Sequence, residues 1–221
     1  MQVMPHELAQ DSDTKHAQRE INDMSTPQEW NGISVPTLYK GIQFRSRLEA
    51  RWAIFFDELG IEWDYEPETF QTKYGYYMPD FFLPSINRWF IVKGKVLKND
   101  EREKVEDVCV LTDSSAIIAC GGLPLQFDWD KHGFYCYRFL FISKAKDGGT
   151  YADEPYLPCI CKQCGKFDFQ YEGRYERNCE CSDSDHGQNS FSWQQPTIQN
   201  ALRKARGSYW NQQTKQFIPG E

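Results

Sequence analysis

With 221 residues, 40% of them apolar and 26% charged, the chain has the composition of a globular protein and is too apolar for disorder throughout. A net charge of −7 excludes a generally basic nucleic-acid coat, though not a local basic patch, and residues 1–30 alone carry six acids against two bases. No apolar run approaches the roughly 20 residues of a membrane span, and the start lacks a secretory leader's basic and apolar regions.

A cytoplasmic protein without membrane contact is therefore expected. In that reducing compartment, clustered members of the eight cysteines point to metal rather than to disulfides.

Residues 1–35 are polar and aperiodic and read as a flexible acidic N-terminal segment. From Ser46 to Leu59 the pattern is helical. Leu48, Trp52, Phe55, Phe56 and Leu59 form one apolar stripe, Ser46 suits an N-cap, and Gly60 suits the position just past the end. Strand-like runs follow at Ile61–Tyr65, Phe70–Lys73 and Tyr76–Leu83, with a turn at Tyr74-Gly75, and at Trp89–Lys93 after a turn over Pro84–Arg88.

Asn99–Leu111 reads as a helix with Val105, Val108 and Leu111 on one face, and Ala116–Cys120 as a fully apolar central strand. Phe134–Ile142 suggests further strands, and Lys144–Thr150 a linker. The pattern predicts a mixed α/β domain over residues 36–145, followed at 156–221 by a Cys-rich module and a basic helix.

Glu49, Asp80 and Lys93 fall where a plain core would want apolar residues, and sites are where local consistency breaks. Two carboxylates and a lysine suit metal-dependent phosphodiester hydrolysis. There carboxylates hold a divalent ion that activates water, and a lysine balances developing charge. Other readings fit the same residues: Ser46-x-x-Glu49 is also a capping box, Pro79-Asp80 also turn chemistry, and Lys93 also a snorkelling strand end.

Taken together, the runs from Gly41 through Phe44 to Phe70, the segment YMPDFFLP and the segment WFIVKG resemble the PD-(D/E)XK (restriction-endonuclease-like) nuclease superfamily. The likeness covers about residues 38–124 and is nearest to phage and mobile-element members with a zinc-ribbon-like tail. It implies an α-β-β-β-α-β core and a DNA endonuclease using Mg2+ (or Mn2+). Glu49 and Asp80 would be metal ligands, and Lys93 would join them as a catalytic residue.

One position departs. The family's Glu-X-Lys strand here reads Ile91-Val92-Lys93, so Ile91 stands where a further carboxylate is expected, and Glu66 or Glu68 would have to complete the site. The alternative expectation is a disarmed nuclease fold that binds DNA or a protein and modulates a host nuclease or defence system. Arg45, Arg47, Arg51 and Lys95 flank the site and suit phosphate contacts, although such charges are also ordinary solvated surface.

Cys161-x2-Cys164-Gly165 is followed by Cys179-x-Cys181, with 14 residues between Cys164 and Cys179. Two close pairs separated by a hairpin-length segment suit a structural tetrahedral Zn2+ site, with Cys159 and His186 as substitutes for a ligand. Phe167, Phe169 and Tyr171 alternate as in a hairpin strand, while Cys109, Cys120 and Cys136 lie in apolar runs and read as core.

Overall fold

The computed structural model describes residues 34–95, 98–123, 138–144, 150–153, 156–161, 164–171 and 195–221. The acidic segment 1–33, and with it Cys136, Cys179, Cys181 and His186, lies outside the described residues.

The chain is mixed α/β. A hairpin of β1 (Thr37–Tyr39) and β2 (Ile42–Phe44) leads into α1 (Arg47–Glu58), then β3 (Asp64–Tyr65). A second hairpin of β4 (Phe70–Thr72) and β5 (Gly75–Tyr77) precedes β6 (Phe81–Leu83), β7 (Arg88–Lys93), α2 (Asn99–Thr112) and β8 (Ser115–Cys120). After these come β9 (Arg138–Lys144), β10 (Thr150–Asp153), β11 (Tyr156–Ile160), β12 (Phe167–Tyr171), α3 (Pro196–Arg206), β13 (Tyr209–Asn211) and β14 (Gln216–Ile218).

One six-stranded sheet, in the order β10-β9-β8-β7-β6-β3, carries the molecule. β3, β6 and β7 run antiparallel in turn, and α2 then crosses over so that β8 pairs parallel to β7. Helix, three antiparallel strands, helix and parallel strand thus succeed one another, with the β4–β5 hairpin inserted after the first strand.

Strand alternation assigns the two faces. Phe90 and Val92 of β7, with Ile117 and Ala119 of β8, meet Trp52, Phe55 and Phe56 of α1. Trp89 and Ile91, with Ala116 and Ile118, meet Val105, Val108 and Cys109 of α2. Because both faces are covered, Trp89–Val92 within β7 reads as a continuous apolar run rather than an alternating one. The Phe90 ring centroid lies 4.8 Å from that of Trp52 and 5.1 Å from that of Phe56, in edge-on arrangements that favour aromatic pairs.

Helix α1 starts as its sequence dictates. Ser46 has an extended backbone, and its Oγ accepts the Glu49 N–H at 3.1 Å. The helix is buried on more than one stripe, since Ala50, Ala53 and Ile54 are covered as well. The additional cover includes α3, whose Ile198, Ala201, Leu202 and Ala205 join the same core. Phe167 and Phe169 of β12 belong to it too, so residues of the C-terminal part share the core of the α/β unit.

Three expectations are corrected. Tyr76–Leu83 is not one strand. It divides into β5 and β6, in different sheets, because Pro79 cannot donate a ladder hydrogen bond and the chain bends at Met78–Asp80. Of Ile61–Tyr65 only Asp64 and Tyr65 pair, with β6. Leu111 is 56% exposed, and Thr112 turns inward instead to accept the Trp89 Nε1–H at 3.1 Å. Of the expected linker over Lys144–Thr150, residues 145–149 lie outside the described residues, while its ends Lys144 and Thr150 pair with each other across β9 and β10.

Among the described residues no helix is long and apolar enough to cross a membrane.

Candidate functional site

Three carboxylates converge at one end of the sheet. Glu49 stands in the first turn of α1, Glu66 follows β3, and Asp80 precedes β6. One oxygen from each lies within 4.8 Å of the others. The helix start and the two strand entries bring them together: the Glu66 N–H donates to the Asp80 carbonyl at 2.9 Å, tying the two strand ends. Glu66 holds a left-handed backbone (φ 47°), a conformation uncommon outside glycine and recurrent at sites.

Each carboxylate is partnered. Glu49 Oε1 accepts the Ser46 hydroxyl at 2.6 Å, and Oε2 accepts the Tyr65 hydroxyl at 2.6 Å and the Arg45 N–H at 3.1 Å. Burial, then the bond to Glu49, holds the Tyr65 phenol well above its ordinary range, so it remains a donor. Asp80 Oδ2 accepts the Val92 N–H at 2.7 Å. Burial pushes the Asp80 carboxyl up to about 7; Glu49 adds to the rise, while the Val92 bond and the charges of Lys93 and Arg45 oppose it.

The Arg45 guanidinium spans the cluster. Its Nη2 contacts Glu66 Oε1 and lies 3.4 Å from Asp80 Oδ1. Burial lowers the Arg45 pKa, but Tyr65, Glu66 and Asp80 together hold it above its ordinary value. One oxygen from each of the three acids could ligate a single cation, and Arg45 is the cation that contacts Glu66 and Asp80 here.

Lys93 and Ile91 complete the local picture. Lys93 Nζ pairs with Glu101 of α2 at 3.1 Å and sits 5.9 Å from the Tyr77 ring, while its charge still reaches Asp80. Ile91 is 0% exposed. The last paired step of β6 and β7 sets Phe81 opposite Phe90, so the register carries Asp80 to the position across from Ile91. A carboxylate at position 91 would thus adjoin Asp80, where this chain has a methyl-rich wall.

The expected nucleic-acid residues separate. Arg45 belongs to the acidic cluster, Arg47 is exposed, and Arg51 is half-buried with Nε donating to Ser208 Oγ at 3.4 Å. Lys95 is exposed just beyond β7.

Backbone hydrogen bonds tie Cys161 to the residues that follow Cys164. The Gly165 N–H reaches the Cys161 carbonyl at 2.9 Å, the Cys161 N–H reaches the Lys166 carbonyl at 2.8 Å, and Gly165 supplies a φ of 75°. Cys159 differs: its Sγ faces the Asp168 carbonyl at 3.5 Å, and burial holds its thiol well above the ordinary value, as for a core residue.

Pattern reading singled out Glu49 and Asp80 but held Glu66 only as an alternative. Neither Arg45's place in the cluster nor Tyr65's bond to Glu49 has a periodic signal. No protein-family model, curated protein or solved structure matches the chain.

Proposed function

We propose that this is a metal-dependent phosphodiesterase of the PD-(D/E)XK endonuclease type, acting on DNA. The observation that supports it is the convergence of Glu49, Glu66 and Asp80 within 4.8 Å, on an α-β-β-β-α-β succession of elements. These three residues would hold Mg2+ or Mn2+, whose hard charge suits carboxylate oxygens. When bound, the ion supplies a Lewis acid for the phosphate oxygen and an acidified water.

The chain's own residues act around it. Tyr65 and Ser46 fix the Glu49 carboxylate by donating to it, and Val92 fixes Asp80. Arg45 holds Glu66 and Asp80 against mutual repulsion. Lys93, released from Glu101, would balance charge on a phosphate oxygen. For the second metal, Cys161 and Cys164 would give Zn2+ two of its four thiolates, with Cys179 and Cys181 as the others, and metal analysis of the purified chain tests this.

A second reading has its own support. Ile91 is wholly buried in the α2-side core, and Lys93 is engaged by Glu101, which suits a nuclease fold retained for binding DNA or a protein. Cleavage of supercoiled, single-stranded and branched DNA with Mg2+, Mn2+ or EDTA separates the two. The enzyme reading expects metal-dependent cutting that Asp80→Asn abolishes. Silence from the wild type, with cutting by Ile91→Glu, would establish the binding protein instead.

A further inference from the structure

Helix α1 carries a second charged surface. Arg51 feels the charges of Arg47, one turn earlier on α1, and of Arg206, in the last turn of α3. Two bonds hold the set: Arg51 Nε to Ser208 Oγ at 3.4 Å, and Arg206 Nη1 to the Leu123 carbonyl at 2.8 Å. Burial, then the charges of Arg206 and Arg47, holds the Arg51 guanidinium below its ordinary value.

Among the described residues none of the three has a carboxylate partner. Other cations near these helices do: Lys204 pairs with Glu58, and Lys40 with Asp57. Converging guanidinium groups, one of them half-buried, repel unless an anion joins them. Arginine's planar fork matches phosphate oxygens, and the amino end of a helix adds positive potential at Arg47.

The residues that follow choose between free phosphate and a polynucleotide. Trp210, 39% exposed, stands two residues beyond Ser208 on β13. Large exposed aromatics beside arginines are what an unpaired strand uses, with phosphates on the guanidinium groups and bases stacked on the rings.

We propose that Arg47, Arg51 and Arg206, with Trp210, form a binding site for single-stranded nucleic acid, built jointly by α1 and the C-terminal helix and hairpin. The site goes beyond the acidic cluster, needs no divalent metal, and makes α3 part of a binding surface rather than packing alone.

The test is fluorescence anisotropy of a short labelled single-stranded oligonucleotide with the full chain in EDTA, at several salt concentrations. Arg47→Gln and Arg206→Gln are each expected to weaken binding roughly tenfold and to reduce the salt slope by about one. Trp210→Ala should weaken it severalfold while leaving the salt slope in place. Arg47 is exposed, so its variant retains the fold, and an unchanged melting temperature checks this.

Wild-type affinity in Arg47→Gln and Arg206→Gln would overturn the site. So would tighter binding of duplex with Trp210→Ala indifferent, or displacement by inorganic phosphate at an equal concentration of phosphate groups. Because metal is chelated throughout, failure here leaves the cleavage test untouched, and failure to cleave leaves this site standing.

Discussion

Asp80 is held between opposing demands: a buried place beside Glu49, which favours its neutral form, and a bond from the Val92 N–H, which favours the anion. With its carboxyl raised to about 7, the folded state binds more protons than the unfolded one between pH 4 and 7. The contribution of Asp80 to stability therefore falls as pH rises through that window, and the loss is complete above it. Asp80→Asn keeps an acceptor for Val92 and removes the ionisable group. Without divalent metal it should be more stable than wild type at pH 8, by up to about 4 kcal/mol, with the advantage shrinking toward pH 4. Urea midpoints across the pH range check this, and a constant difference would refute it. Asp80 and Glu49 were legible in the sequence because they interrupt apolar patterns. Glu66 was legible only as one of two candidates with Glu68, since it follows a two-residue strand and owes its position to a left-handed turn that no periodicity announces. The pairing of Lys93 with Glu101 depends on where α2 docks, which is likewise no property of the strand's own residues.

At the scale of elements, α1 does two jobs from one turn. Ser46 caps the helix through its Oγ and donates that same hydroxyl to Glu49. Ser46→Ala should therefore cost about 1 kcal/mol of stability by loss of the cap, measured by chemical denaturation. It should also loosen Glu49, so divalent metal should raise the melting temperature less than in wild type. Loss of stability with the metal response intact would assign Ser46 to the helix alone. The helix and its start were readable from Ser46, Gly60 and the aromatic stripe. Its cover by α3 was not, because Ala50, Ala53 and Ile54 carry no strong periodic signal and their neighbours lie about 150 residues along the chain. The strand boundaries around Pro79 failed for a related reason: apolar residues run through both β5 and β6, and only the bend separates them.

Across the whole molecule, one buried contact joins distant stretches. Arg88, at the start of β7, donates from Nε and Nη2 to both oxygens of Asp168 on β12, at 2.7 and 3.0 Å. Ser115 accepts a third bond, and the guanidinium lies 5.0 Å from the Phe141 ring. Removing one partner leaves a buried charge uncompensated, so Asp168→Leu should cost roughly 3–5 kcal/mol by denaturant unfolding. Arg88→Met combined with Asp168→Leu should recover much of that loss, and equal destabilisation in the double variant would show that the pair is not what Asp168 serves. Composition and spacing set the module at 156–221 apart because its cysteines and basic helix look unlike the preceding chain. A lone Arg88 and a lone Asp168, 80 residues apart, give no sign that they meet. Neither stretch could be transplanted into another protein as a ready-made cassette without stranding half of an ion pair in its interior.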